Sequence, residues 1–157
     1  MARGMELEFR QTELGDILEL FSVRARTRQN PISQEGLAAL GITPESIAAS
    51  MVDRSLIGWV CVGHSGVIGF CSGDSETGEV LVVAVLPDYE GNGIGKRLLT
   101  EVVEGLQSAG CSRLWLAASP HPSIRANGFY RWLGWQPTGE RLENGDEILE
   151  YKTDGIR

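Results

Sequence analysis

The residues with the clearest chemical potential lie in Glu90-Gly91-Asn92-Gly93-Ile94-Gly95-Lys96-Arg97, where three glycines fall within five positions. Glycines let a ligand approach the backbone closely, and the first N–H groups of a helix have no partner within it. Lys96 and Arg97 add positive charge in a chain whose formal net charge is −7. The chemistry open to such a loop is holding a phosphate. Two familiar phosphate loops do not fit the spacing. A Walker A loop requires glycine where Glu90 stands and a hydroxyl where Arg97 stands. A dinucleotide loop of the G-x-G-x-x-G type requires glycine at Lys96 and an acid near Trp115.

A phosphate loop needs a strand before it and a helix after it. Val80-Leu81-Val82-Val83-Ala84-Val85-Leu86 is short, apolar and rich in β-branched residues. Pro87, which lacks an N–H for a ladder, closes it, so a buried strand is predicted over 80–86. Ile94, Leu98, Leu99, Val102, Val103 and Leu106 then recur at the period of one helix face, and Gly110 stands where that helix would turn off.

Upstream, Leu7 and Phe9, with Met5, alternate with Glu6, Glu8 and Arg10 as a half-exposed first strand. Thr12 is placed to cap a helix reaching Arg26, with Arg24, Arg26 and Arg28 near its C-terminal end. Asn30-Pro31-Ile32-Ser33 breaks the chain, a short helix over 34–40 stops at Gly41, and Thr43-Pro44 starts another apolar helical stretch. Strands over 56–63 and 67–72 meet at His64-Ser65-Gly66. A strand over 113–118, a helix over 124–133 and a strand pair over 135–141 and 147–153, turning at Asn144-Gly145, complete the chain. The predicted order is β-α-α-β-β-β-α-β-α-β-β. This is an α/β (mixed α+β) fold with a central mixed sheet of about seven strands and helices on both faces. The strands flanking the long helix should be parallel neighbours.

At 157 residues, 42% hydrophobic and 22% charged, the chain is the size of a single globular domain over 1–157. Its acidity argues against general nucleic-acid binding, and no apolar run nears the roughly 20 residues of a membrane helix. The start, Met1-Ala2-Arg3-Gly4-Met5-Glu6, carries no apolar signal core, so a cytoplasmic protein is expected. Cys61, Cys71 and Cys111 are too far apart for a metal motif and sit among apolar neighbours, as buried thiols in a reducing compartment would.

The loop from Glu90 to Gly95, following a strand that ends at a proline, resembles motif A of the GNAT superfamily of acetyl-CoA-dependent N-acetyltransferases, Arg/Gln-x-x-Gly-x-Gly/Ala. Glu90 replaces the usual Arg or Gln. A second stretch, 123–135, resembles motif B, roughly Asn-x-x-Ala-x-x-Phe-Tyr-x-x-x-Gly-Phe. There Ala126, Phe129, Tyr130 and Gly134 match, Trp135 stands for the Phe, and Ser123 stands where an Asn often meets the cofactor. Gly128 weakens this helix by about 1 kcal/mol against alanine, which suggests close approach by something else. The two motifs come in the family's order, and the predicted element order is that of the GNAT fold.

The resemblance implies an enzyme that moves an acetyl group from acetyl-CoA to a primary amine by direct attack, without an acyl-enzyme or a metal. It implies that the two parallel strands splay and admit the pantetheine arm. The backbone of Val83, Ala84 and Val85 would contact that arm. The loop Gly91, Asn92, Gly93, Ile94, Gly95 and Lys96 would hold the pyrophosphate, with Ser123 a further candidate. Tyr130 matches the tyrosine that protonates the departing thiolate, and a tyrosine with its usual pKa of about 10 is protonated at neutral pH. The same position also suits a core aromatic beside Phe129 and Trp132. An N–H near Val85 would face the developing oxyanion. The base stays open: Glu79, at the start of the central strand, and His121, between two prolines, are the candidates. Asp74 and Glu76 read as solvated loop acids, and His64 as an exposed turn residue. The two N-terminal helices would wall the acceptor site, where Arg24, Arg26 and Arg28 could hold a carboxylate. Partners are then acetyl-CoA and an amine-bearing acceptor, with neither nucleic acid nor membrane, and a homodimer is compatible with the reading. Because Glu90 and Ser123 depart from the motifs, a non-catalytic acetyl-CoA sensor or interaction domain is the alternative.

Overall fold

The computed structural model describes residues 6–28 and 31–152. The elements are β1 (Glu8–Gln11), α1 (Ile17–Ala25), α2 (Gln34–Ala39), α3 (Pro44–Val52), β2 (Leu56–Gly63), β3 (Gly66–Asp74) and β4 (Glu79–Val85). They continue with α4 (Ile94–Ser108), β5 (Leu114–Ala118), α5 (Arg125–Trp132), β6 (Trp135–Arg141) and β7 (Glu147–Tyr151). The expectations for Met5, Asn30 and Thr153 fall outside the described residues.

Two local expectations change. Thr12 does not cap α1; its N–H donates to Gly58 O at 3.0 Å and prolongs the β1–β2 pairing. The chain enters α1 through a 3-10 turn, Leu14–Asp16, where the Glu13 N–H donates to Asp16 Oδ2 at 2.7 Å. The three helical stretches predicted between β1 and β2 form three separate α-helices, one more than the predicted order counts. Gly41, with φ of 84°, ends the α2 region, and Thr43 Oγ1 accepts from Ser46 N at 3.0 Å to start α3 behind Pro44.

One seven-stranded sheet runs in the order β1-β2-β3-β4-β5-β7-β6. Every neighbouring pair is antiparallel except β4 and β5. On one face α4 buries Ile94, Leu98, Leu99, Val102, Val103 and Leu106, the six positions its periodicity marks, each contributing about 2 kcal/mol. It lies very close to β3 because Gly73 carries no side chain there: a Cβ would stand 2.9 Å from Leu106 and 3.0 Å from Val102. On the other face Leu20 and Val23 of α1 cover Val60, Val67, Phe70 and Ala84. Behind α1, Ile17 and Phe21 pack with Leu37 of α2 and with Ile47 and Met51 of α3. Cys61 and Cys71 are buried free thiols, whereas Cys111 is only half-buried, its Sγ meeting Ser75 O at 3.2 Å.

The sheet contains one irregularity with consequences. In the β3–β4 ladder Ser72 opposes Val82 but Gly73 opposes Val80, so Leu81 is an extra residue in β4. Such a bulge bends its strand. Beyond that point β4 and β5 do not pair: their parallel ladder consists of Glu79 opposite Trp115, reinforced by Trp115 N–H to Gly78 O at 3.2 Å. On its far side β5 stays fully paired with β7.

Candidate active site

The backbone directions in the gap follow from the ladder. Leu86 N–H donates to Ile68 O at 2.9 Å, so Leu86 turns its peptide groups to β3. Antiparallel pairing alternates residue by residue. Val85 and Val83 therefore turn their N–H and C=O groups away from β3, toward the side that β5 has left. Ala84 turns to β3 and buries its methyl against α1, which corrects its expected place among the backbone contacts. On β5, Trp115 faces β4, and by the same alternation so does Ala117, which sequence reasoning did not single out. The gap thus has an open strand edge on each wall.

At its mouth, β4 passes through a 3-10 turn, Pro87–Tyr89, into the glycine loop. Asn92 Nδ2 shapes this loop by donating to the carbonyls of Tyr89, at 3.1 Å, and Glu90, at 3.4 Å. Gly93 caps α4 with φ of 76°, a conformation that favours glycine. Arg97 N–H closes the first helical bond on Gly93 O at 3.1 Å. Among the described residues, none of the six N–H groups from Gly91 to Lys96 donates to a protein acceptor. Around Gly95, the nearest side chains to a Cβ would be Phe129, Val83 and Val85, at 3.5–3.8 Å. The loop is thereby packed against both β4 and α5.

The family follows from a match over most of the sequence. A profile described as the Acetyltransferase (GNAT) family matches residues 16–135. The chain belongs to this family. Over an alignment 80 positions long, covering 48% of this chain and 42% of the relative, the chain is 36% identical to an uncharacterised ycf52-like N-acetyltransferase of Prochlorococcus marinus. Among solved structures, the PaiA N-acetyltransferase of Thermoplasma acidophilum in complex with coenzyme A superposes with a TM-score of 0.76 at 22% identity, over 94% of this chain and 99% of that one. YncA of Salmonella typhimurium, a putative acetyltransferase solved with acetyl-CoA, gives 0.71 at 14% identity, over 97% and 96%. The seven-stranded sheet and its flanking helices are thus the GNAT fold.

Within this GNAT frame, Tyr130 is buried on α5, its ring 5.5 Å from Phe129 and 6.2 Å from Trp135. Burial and Cys71 of β3 raise its pKa, and Arg24, from the α1 face, partly opposes them. Tyr130 belongs to the core cluster against which Val83, Val85 and Phe129 pack. Glu79 lies four residues before Val83, roughly 13 Å along an extended strand, at the closed end of the gap. Burial first, and then Asp74, raises its carboxyl pKa. His121 lies at the opposite end, in the exposed loop after β5. Its Nδ1 accepts from Ser123 N at 3.1 Å and lies 2.7 Å from Ser123 Oγ. The structure therefore groups Val83, Val85, Tyr130 and the loop, and separates His121 from Glu79. Gly128 does not mark a close approach, since a Cβ there would meet nothing within 4 Å. The Cys61 thiol is pushed up to about 11 by burial, and burial raises Cys71 as well, so neither favours a thiolate nucleophile.

Proposed function

We propose that the chain is an N-acetyltransferase taking acetyl-CoA as donor and a primary amine as acceptor. The observation that carries this reading is the gap itself: open edges at Val83, Val85 and Ala117, with six N–H groups at its mouth that have no protein acceptor among the described residues. An extended arm bearing amides suits such edges, because peptide groups left without partners between strands are costly. A pyrophosphate suits the loop, where the helix dipole adds to the N–H groups. When bound, acetyl-CoA would supply a thioester carbonyl and a thiol leaving group.

The residues around the gap divide the remaining tasks. Val85 N–H, turned into the gap and fixed by the ladder, is the donor for a developing oxyanion. Tyr130 Oη keeps its proton at neutral pH because burial disfavours the phenolate, and it gives that proton to a departing sulfur. Glu79, whose carboxyl is shifted toward neutrality at the closed end, receives the amine proton through a chain of waters along the gap. His121 is engaged with Ser123 on the phosphate side, which leaves it a loop-shaping role there. The single sheet connecting β1 to β6 supports one domain, and three unpaired thiols support a reducing, cytoplasmic setting.

The test is titration with acetyl-CoA, followed by hydrolysis-corrected thiol release with a panel of primary amines. Binding with amine-dependent release is expected. Binding without release for any acceptor would favour the sensor reading, and no binding would reject both.

A further inference from the structure

Glu90, the acid that stands where the motif usually has Arg or Gln, is paired with two cations. Its Oε1 accepts from Arg28 Nε at 3.0 Å and from Arg125 Nη1 at 3.3 Å. The two arginines lie 62 and 35 residues away in sequence, one just past α1 and the other opening α5. One carboxylate oxygen thus ties together three segments around the mouth of the gap.

We propose that Glu90 is a built-in anion that holds Arg28 and Arg125 beside the glycine loop until ligand phosphate displaces it, so that these two arginines become phosphate-binding side chains. The inference rests on the acetyl-CoA reading and specifies how this chain takes up its phosphates.

Four observations support it. A single carboxylate oxygen accepts from two guanidiniums at once. Arg125 occupies the first position of α5, where the helix dipole disfavours a cation, so its placement needs an anion nearby. The pairs are weakly held, because the Arg28 and Arg125 side chains are 55% and 70% exposed. A phosphate group carries more charge than a carboxylate and matches the guanidinium fork with two parallel hydrogen bonds, so it competes favourably. Finally, the loop N–H groups open beside Glu90 have no acceptor among the described residues, so an anion arriving for them meets both arginines.

The test is calorimetric binding, independent of turnover, with coenzyme A, S-acetyl-pantetheine lacking phosphates, and inorganic pyrophosphate as probes. Glu90→Gln should bind coenzyme A roughly three- to tenfold more tightly at low ionic strength. Arg28→Gln and Arg125→Gln should each bind it roughly three- to tenfold more weakly. None should change binding of S-acetyl-pantetheine, and a melting curve beside the parent's checks that each variant is folded. Parent-like coenzyme A binding in both arginine variants overturns the proposal, as does weaker binding in Glu90→Gln. If the parent fails to bind coenzyme A but binds pyrophosphate in a manner dependent on both arginines, the clasp stands and the acetyl-CoA reading falls. Coenzyme A binding indifferent to the arginines gives the reverse.

Discussion

Tyr130 is the residue on which chemistry and packing meet. Its ring is wedged between Phe129 and Trp135, so Tyr130→Phe keeps the packing and deletes the hydroxyl alone. If that hydroxyl is the general acid, kcat should fall roughly 10²–10⁴-fold with coenzyme A affinity nearly unchanged, as read by steady-state turnover beside calorimetry. A tyrosine that only packs would instead lose about 1 kcal/mol of stability at most and keep its turnover. At this scale a sequence is readable where a residue's place depends on neighbours along the chain, and the glycines, Lys96 and Tyr130 stand in such local patterns. Glu90 was not readable in the same way, because its partners come from 62 and 35 residues away. The one local hint was Arg125, a cation opening a helix, where the dipole argues for an acid.

At the level of elements, periodicity revealed the helices and strands because burial of one face is a repeating requirement. The six buried positions of α4 are legible for that reason. The bulge at Leu81 was not, since Leu81 looks like its apolar neighbours and differs only in having no partner in β3. The direction of the Ala84 peptide was hidden likewise, as it depends on a ladder rather than on residue type. The start of α4 carries the sharpest element-scale prediction. Gly93 has φ of 76°, and left-handed backbone costs an L residue about 1–2 kcal/mol, more for a β-branched one. Gly93→Val should therefore reshape the loop and abolish measurable coenzyme A binding, while far-ultraviolet circular dichroism stays that of the folded parent. Parent-like affinity would remove the loop from the site.

For the whole molecule, the tie between β1 and α1 sets an acid limit. Asp16 is 5% exposed and receives Arg10 Nη1 at 2.8 Å and Nη2 at 2.9 Å. The hydrogen bond from Arg10 is the largest influence holding its pKa below the ordinary value, with burial opposing it. The folded state thus binds its proton more weakly than the unfolded chain does. The resulting stability is complete above the ordinary carboxylate range, near pH 4, and is lost as pH falls through the lower folded value. Asp16→Asn should cost about 2 kcal/mol at neutral pH by removing the charged partner of Arg10's two short bonds and leaving it the longer contact to Glu13. That corresponds to a melting temperature lower by about 4–8 °C. Melting curves from neutral pH downward should show the gap to the parent narrowing below about pH 4, and a constant gap would place the effect elsewhere.

The parting of β4 from β5 has a further consequence, for the life of the protein between turnovers. Natural sheets shield their free edges because an exposed row of peptide groups invites strands from other chains. Here two such rows face each other inside one sheet, at Val83 and Val85 on one side and Ala117 on the other. A ligand that occupies them does the work of a missing strand. On the acetyl-CoA reading, donor binding would cover both rows, so the protein should self-associate less with coenzyme A than without it, as light scattering of the two samples would read.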